Sequence, residues 1–347
     1  MNKFTFVTVG GSVSTGSTPL IDLLREYKEL KVVDGEFRPG KHMFRMAANI
    51  SKGIKTDAAT FTVLKRNTMN YGYNVPLLVS IYYRILIRLP GPVLNLLNKH
   101  AKEMSRKLMA KRGYEKKMPG YKNATRILFD QLADLDARLD TMSREQRMAE
   151  LAGCLEQFLH SVAASVRRDI PGILPVFDQM INPNKLFSEP GEMTMAKLLP
   201  STAIIVVSRD VRDQYCDMIR KGKKGYHLMD TAERVDRYIH EYSRRYDEMH
   251  RLLEDLPANV LHVRFEDLIF HYRPTKKKVE DFLGIREHRH PKKYFDPKVA
   301  AGSTGLYRKH ENRTEIQTLE QCMHRWLYPF KNEEGMGNRV AAGRTNE

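Results

Sequence analysis

The sequence has few of the residues that cross-link a protein. Its 347 residues include only three cysteines, Cys154, Cys216 and Cys322, which stand far apart and show neither metal-ligand nor redox spacing. Such an odd, sparse set is typical of a reducing compartment and argues against a secreted disulfide scaffold. The spacing of the histidines does not indicate a metal site either, so we expect no metal.

We also expect neither a leader nor a transmembrane segment. A strand-like run at Phe4–Val9 begins almost at once, which leaves no room for a signal peptide. The most apolar stretch, Val75–Leu97, is interrupted by Arg84, Arg88, Pro90 and Pro92 and is therefore a poor candidate for a transmembrane helix. These absences predict a cytoplasmic protein.

The chain has fewer acidic residues than basic residues. Fifty-eight lysines and arginines stand against 42 acidic residues, which gives a formal charge of +16. This excess indicates a polyanionic partner: a nucleic acid, an anionic membrane surface, or an acidic small molecule or polymer. The hydrophobic fraction of 41% is that of a soluble globular protein with an adequate core.

Short β-branched runs alternate with helical patterns. The strand at Phe4–Val9, a helix at Thr18–Tyr27 and a strand at Leu30–Val33, ended by Asp34-Gly35, form a βαβ unit and therefore predict a parallel sheet. Further runs predict strands at Ile173–Phe177, Ala203–Val207 and Val260–Val263, and helices at Val211–Arg220, about Asp230–Leu253 and Lys276–Leu283.

Residues from about 69 to 168 differ in kind, with long helical patterns and a basic run at Lys99–Lys122. That run fits either a solvated helix face or an anion-binding surface, which includes peripheral contact with a membrane. We therefore predict an α/β fold: a three-layer, P-loop-like parallel sheet flanked by helices, with a large helical insert at about 69–168. Residues 1–330 would form one domain, followed by a flexible tail at 331–347.

A glycine loop follows the first predicted strand. The segment GGSVSTGST (Gly10–Thr18) lies between a strand and a helix, an order that gathers backbone N–H groups where a phosphate or sulfate binds. Gly11 and Gly16 have the spacing of a nucleoside-triphosphate P-loop, but Ser17 stands where that motif has its lysine. The loop therefore suits a phosphate group while lacking the charge that reaches a terminal phosphate.

A second informative segment, Ser208–Asp213, directly follows the strand at Ala203–Val207. Ligands of open parallel sheets bind beyond the carboxyl ends of the strands. Arg209 and Arg212 with their neighbouring aspartates would make a fork for an oxyanion, although surface ion pairs would explain the same residues.

Together these segments resemble the PAPS-dependent sulfotransferases, including bacterial members that sulfate carbohydrates. Ser14–Thr18 is similar to the family's first motif except at its first position, and Arg209–Asp213 is similar to its second motif with valine in place of proline. Arg264–Leu268 followed by Val279–Gly284 looks like a third family stretch, and Ser303–Lys309 like its late glycine loop. The four motifs occur in family order between residue 4 and about 310.

The resemblance implies a role for each motif. Thr15, Gly16, Ser17 and Thr18 would hold the 5′-phosphosulfate of PAPS through N–H groups and hydroxyls. Arg209 would bind the 3′-phosphate, and the late loop would close over it. The late-loop residues concerned are Gly305, Tyr307 and Arg308.

Two positions depart from the family pattern. Ser14 stands where most members place a catalytic lysine or arginine, so another cation would be recruited from Lys41, Arg212 or the basic insert, or catalysis would be slow or absent. Asp217 stands where a serine usually contacts the 3′-phosphate. An aspartate there would repel that phosphate unless it turns away or pairs with Arg220 or Arg209.

The acceptor hydroxyl needs a general base. Glu36, after the second strand, is the first candidate, because family members often take their base from this region, and His42 is the second. Glu36, Arg38 and Asp178 are candidate contacts for the acceptor, and Asp178-Gln179 is the feature that resembles the carbohydrate-modifying members.

The sequence therefore predicts an enzyme that moves a sulfuryl group from PAPS to a hydroxyl of a carbohydrate or glycan. A P-loop-like nucleotide kinase or NTPase is one alternative, but it would have a lysine at position 17 and an aspartate for Mg²⁺. A non-enzymatic polyanion-binding protein is the other. No recognised nucleic-acid module is present, so we expect no specific nucleic-acid partner.

Overall fold

The computed structural model describes residues 3–12, 14–36, 46–47, 49–69, 120–167, 172–179 and 195–330. The strands are β1 (Phe6–Gly11), β2 (Leu30–Glu36), β3 (Leu174–Asp178), β4 (Thr202–Ser208) and β5 (Val260–Arg264). The longer helices are α1 (Ser17–Leu24), α2 (Ala58–Met69), α3 (Tyr121–Ala137), α4 (Arg144–Arg167), α5 (Val211–Arg220), α6 (Thr231–Leu253), α7 (Phe265–Phe270), α8 (Tyr272–Leu283) and α9 (Arg313–Cys322).

The five strands form one parallel sheet in the order β2-β3-β1-β4-β5. The predicted α/β fold with a parallel sheet flanked by helices is therefore confirmed. The predicted end of the second strand at Asp34-Gly35 is wrong, because β2 continues to Glu36 through a register shift after Val33. The shift places Glu36 opposite Asp178 at the carboxyl ends of two neighbouring strands.

Alternate residues of each strand enter two different cores, as the period of a strand requires. On one face, Phe6, Ile204 and Val206 pack with apolar residues of α3 and α4. On the other face, Val7 and Val207 pack with residues of α1, α7 and α8. The sheet is thus covered on both sides, which explains the apolar run in the central strand β4.

A third core, rich in tyrosine, joins α5, α6 and α9. Tyr238 and Tyr246 are buried, and both hydroxyls donate to Oε1 of Gln214, at 2.8 and 2.7 Å. Tyr246 also donates to the carbonyl oxygen of Arg209, at 3.0 Å. These bonds fix the start of α5 against α6, and with it the backbone at the carboxyl end of β4.

Part of the predicted helical insert is described. Helices α3 and α4 bear out helical structure within residues 121–167, and their buried residues belong to the same core as the sheet. Residues 70–119, with most of the basic run, and the predicted tail at 331–347 lie outside the described residues. Within the described part, no helix combines the length and apolarity needed to cross a bilayer. All three cysteines are free thiols.

Candidate functional site

The glycine loop lies at the carboxyl end of β1 and leads into α1. Gly16 precedes the first residue of α1 with φ 87°, and Ser14 also has a positive φ of 62°. A Cβ on Gly16 would lie 2.7 Å from Cδ2 of Phe265, and a Cβ on Gly11 would lie 2.9 Å from the carbonyl oxygen of Val207. Both glycines are therefore required by close approach, and the first N–H groups of α1 remain at the loop, as an anion site needs.

Hydrogen bonds hold the loop in this shape. The hydroxyl of Thr15 is buried and donates to the carbonyl oxygen of Ser12 at 2.8 Å. The hydroxyl of Ser17 accepts a hydrogen bond from the amide of Gln179 at 3.1 Å, which ties the loop to the end of β3. Thr18 is exposed. The hydroxyl and the backbone N–H of Thr15 both donate to the carbonyl oxygen of Ser12, so the N–H groups that follow Thr15 are the better donors for an anion.

Arg209, at the carboxyl end of β4, reaches across to the glycine loop. Its Nη1 donates to the carbonyl oxygen of Ser14 at 3.0 Å, and its Nη2 donates to the carbonyl oxygen of Ser303. The guanidinium lies 5.1 Å above the ring of Phe265 and is almost fully buried. Its Nε has no hydrogen-bond partner among the described residues. Arg209 therefore links the glycine loop to the late loop and leaves its Nε–H without a described partner.

Arg212 does not reach the glycine loop. Asp210 caps α5, and its carboxylate accepts bonds from the guanidinium of Arg212 at 2.8 and 3.0 Å. Nη1 of Arg212 donates to Glu320 at 2.7 Å, and the guanidinium lies 3.9 Å above the ring of Tyr307. Among the cations suggested for the missing charge at Ser14, Arg212 is thus held by Asp210 and Glu320.

The late loop is fixed to α5 by a buried carboxylate. Asp213 accepts bonds from the N–H groups of Gly305 at 2.7 Å and Tyr307 at 3.3 Å. Burial and the neighbouring charge of Asp210 raise the pKa of Asp213 to about 6, against the opposing effect of Arg209. Arg308, by contrast, is exposed. The structure thus brings Gly305 and Tyr307 to the start of α5 and leaves Arg308 free of burial at the surface.

Asp217 is buried and surrounded by cations. Arg220 and Lys221 each approach its carboxylate at 2.6 Å, and Nη1 of Arg209 lies 3.7 Å from it. Burial opposes ionisation, but the hydrogen bonds of Lys221 and Arg220 outweigh it and lower the pKa of Asp217. The carboxylate is therefore charged and neutralised, which is the pairing expected of an aspartate close to a phosphate site.

The remaining candidates divide between the sheet edge and the undescribed residues. Glu36 and Asp178 are register partners at the carboxyl ends of β2 and β3, and Asp178 also pairs with Val9 of β1. Arg38, Lys41 and His42 lie outside the described residues. Within the described part, no group of His, Cys, Asp or Glu has the arrangement of a metal site.

Two residues at the site received no role from the sequence. Phe265 supports both Gly16 and Arg209, and Glu266 accepts the N–H of Asp210 at 2.9 Å. Burial raises the pKa of Glu266 to about 8, so this carboxyl is largely protonated at neutral pH. Phe265 and Glu266 directly follow β5, which lies beside β4 in the sheet. Recognising that neighbouring position would have placed both residues at the site.

The loop after β1, the arginine after β4 and the late loop thus converge at one edge of a parallel sheet, an arrangement that defines an α/β protein with a glycine loop at the carboxyl end of its first strand. A family model described as Sulfotransferase family matches residues 7–290, so the chain belongs to the sulfotransferase family. Among solved structures, a sulfotransferase, STF9 from Mycobacterium avium, is similar with a TM-score of 0.39 and 10% identity, over 93% of this chain and 76% of that one. No curated protein matches the chain.

Proposed function

We propose that the chain transfers the sulfuryl group of PAPS to a hydroxyl of a carbohydrate or glycan. The observation that carries the proposal is the contact of Arg209 with the glycine loop, at 3.0 Å from the carbonyl oxygen of Ser14, in a loop with serine instead of lysine at position 17. Such a loop offers N–H groups to a phosphosulfate and has no charged side chain directed at a third phosphate.

The residues at the loop fit the donor. Gly16 leaves room where a side chain would collide with Phe265, and Arg209 has a buried Nε–H with no described partner, an unused donor that is unfavourable to leave unpaired. We assign the 5′-phosphosulfate to the N–H groups of Thr15–Thr18 and the 3′-phosphate to Arg209 with the late loop at Gly305–Arg308. Bound there, PAPS supplies the sulfuryl group and a stable leaving group.

The same contact bears on the cation missing at Ser14. A guanidinium against the Ser14 carbonyl brings positive charge to the loop position where relatives carry a lysine or arginine. In-line transfer needs charge stabilisation on the departing oxygen more than it needs covalent chemistry. We therefore assign Arg209 to this task in addition to donor binding.

The acceptor side lies at the neighbouring strand ends. Glu36 and Asp178 stand opposite each other in the register of β2 and β3, beside the glycine loop at the end of β1. A carboxylate can accept hydrogen bonds from sugar hydroxyls, and it can take the proton of the reacting hydroxyl. We assign the base to Glu36, with His42 as the alternative, and acceptor contacts to Asp178 and Arg38.

The kinase or NTPase alternative is disfavoured by the state of Asp210. This aspartate follows the strand where such an enzyme would place its Mg²⁺ ligand, yet it is 1% exposed. Its two oxygens accept bonds from Arg212 and from the N–H of Tyr328 at 2.7 Å. A metal ion at Asp210 would have to displace these bonds.

Thermal unfolding with PAP and with ADP tests the donor assignment. At 100 times its Kd, a ligand that binds only the folded state stabilises by about 2.7 kcal/mol. For 347 residues, with an unfolding entropy of about 0.7 kcal/mol per kelvin, this corresponds to about 4 °C. An equal shift with ADP, or none with PAP, would refute the proposal.

Two variants separate binding from turnover. We expect Arg209→Ala to lose the PAP shift, and Glu36→Gln to keep it while sulfuryl transfer to glycan, measured as PAP release, falls by about 100-fold or more. Normal turnover by Glu36→Gln would show that Glu36 is not the base, and His42→Asn is then the variant to measure.

A further inference from the structure

A cavity of about 250 Å³ lies beside Arg209 on the side of the sheet away from α1. Its floor is Ser208 at the end of β4 with His262 and Arg264 of β5, and its wall is α6 with Trp326 and Tyr328. Ser208, His262 and Arg264 continue the strand alternation of Val206 and Val260, whose side chains enter the core opposite α1. No residue of the glycine loop or the late loop lines the cavity. Apart from Arg209, it therefore shares no residue with the donor site that we propose.

The cavity has an excess of positive charge. Arg264 is half-buried above the ring of Tyr328, at 5.7 Å, and no salt bridge joins it to a carboxylate in the described part of the chain. Arg325 and the carboxylate of Glu254 are both exposed on the lining. The other acid, Asp210, is already neutralised by Arg212 at 2.8 Å. Arg264 therefore supplies the half-buried positive charge of the cavity.

Neutral donors complete the lining. Ser208 and His262 share a hydrogen bond of 2.6 Å between Oγ and Nε2. Burial, followed by Arg264 and Lys278, lowers the pKa of His262 to about 3, so the ring is neutral at physiological pH and adds no charge. The buried aromatic residues Tyr246, Trp326 and Tyr328 form part of the wall. A cation in such a partly apolar pocket is a stronger partner for an anion than one in open solvent.

We propose that this cavity is a second binding site, for a small molecule carrying a sulfate or phosphate group, with Arg264 as its principal charged contact. The site goes beyond sulfuryl transfer and does not depend on it. Arg209 also lines the cavity, and its guanidinium contacts Ser14 and Ser303, so the cavity borders the residue that joins the donor loops.

Trp326 makes occupancy measurable, because it is the only tryptophan in the chain and it lines the cavity. The full-length protein is titrated with sodium sulfate and, separately, with inorganic phosphate, while tryptophan emission and the melting temperature are recorded. Sodium chloride at matched ionic strength is the control for screening. We expect a saturable response to either oxyanion beyond that of chloride. No response above chloride in either measurement would overturn the proposal.

Variants then test the assigned contact. Arg264→Met should weaken the oxyanion by roughly tenfold to a hundredfold, the equivalent of one charge-assisted hydrogen bond. Arg273→Met removes the same charge from an exposed position on α8 and should leave the affinity unchanged. If Arg264→Met melts too early to titrate, Arg264→Lys keeps the charge and should bind with intermediate affinity. Affinity equal to wild type in a folded Arg264 variant would refute the assignment.

A competition experiment separates this site from the donor site. Saturating PAP should leave the sulfate response of Trp326 in place, because the two ligands occupy different sides of the sheet. Loss of that response in PAP would mean that the cavity belongs to the donor site, and the proposal would be wrong. A sulfate response without any PAP shift would instead refute the proposed donor and leave the second site standing.

Discussion

Gly16→Ala tests whether the glycine loop is shaped by its contact with Phe265. Gly16 has φ 87°, and the added Cβ would lie 2.7 Å from Cδ2 of that ring. Phe265 cannot move freely, because the guanidinium of Arg209 lies 5.1 Å above it. The substitution should therefore disturb both the loop and the arginine that binds it.

The magnitude can be separated into two parts with a control from the same chain. Gly225 has φ 77°, and a Cβ there would meet nothing within 4 Å. Gly225→Ala should therefore carry only the left-handed backbone cost, about 1–2 kcal/mol. Gly16→Ala adds overpacking against Phe265, about 1–3 kcal/mol, for a total of about 2–5 kcal/mol.

Thermal unfolding of the two variants measures this difference. With about 0.7 kcal/mol per kelvin for this chain length, Tm should fall by roughly 3–7 °C for Gly16→Ala and roughly 1–3 °C for Gly225→Ala. The PAP shift should also disappear in Gly16→Ala and persist in Gly225→Ala. Equal losses of Tm, with PAP binding intact in both, would show that the contact with Phe265 does not shape the loop.

Three further substitutions test buried carboxylates. Glu26 is fully buried, and its carboxylate accepts hydrogen bonds from N–H groups of the loop at 292–295. It also lies 2.7 Å from Nε2 of His288. Glu26→Gln should therefore lower the unfolding free energy at pH 7 by about 3 kcal/mol. Burial opposes ionisation of Glu26, but the loop N–H groups lower its pKa below 4.5. The stability difference between wild type and Glu26→Gln, measured by urea denaturation, should therefore shrink as the pH falls. A difference that stays constant with pH would contradict the assignment. Because burial raises the pKa of Glu266 to about 8, wild-type stability should fall between pH 4.5 and 8, by up to about 1.4 kcal/mol per pH unit, and Glu266→Gln should flatten that slope. Asp217→Asn removes a negative charge 3.7 Å from Arg209 and should tighten PAP about fivefold in calorimetry, on the order of 1 kcal/mol; weaker binding would mean that Asp217 supports donor binding by holding Arg209 in place.

Much of the fold could be predicted from local pattern. The β-branched run at Ala203–Val207 lies within β4, and the predicted helix at Val211–Arg220 is α5. Such a run can be recognised in the sequence because a strand buried on both faces must be apolar throughout. The end of β2 could not be predicted, because Asp34-Gly35 has the composition of a turn but lies within a bulged strand. Pairing with β3, and not local propensity, carries the chain on to Glu36.

The site was predicted less completely than the fold. The four motifs correctly indicated the sulfotransferase family, since spacing along the chain is enough to recognise a loop after a strand. The partners of each charge were not predictable. Arg209 and Arg212 are three residues apart and chemically alike, yet one contacts Ser14 and the other is held by Asp210 and Glu320.

Local patterns in the chain are enough to predict a parallel α/β protein with a glycine loop suited to a phosphate or sulfate group, because strand period, turn residues and loop spacing are local properties. The charges that face that loop depend on contacts between distant parts of the chain. Ser303 is 94 residues from Arg209 and Ser14 is 195 residues from it, and they meet because parallel strands end at the same edge of one sheet. The backbone of Ser14 thus lies beside the guanidinium of Arg209. The residues next to Ser14 in the sequence gave no indication of this contact.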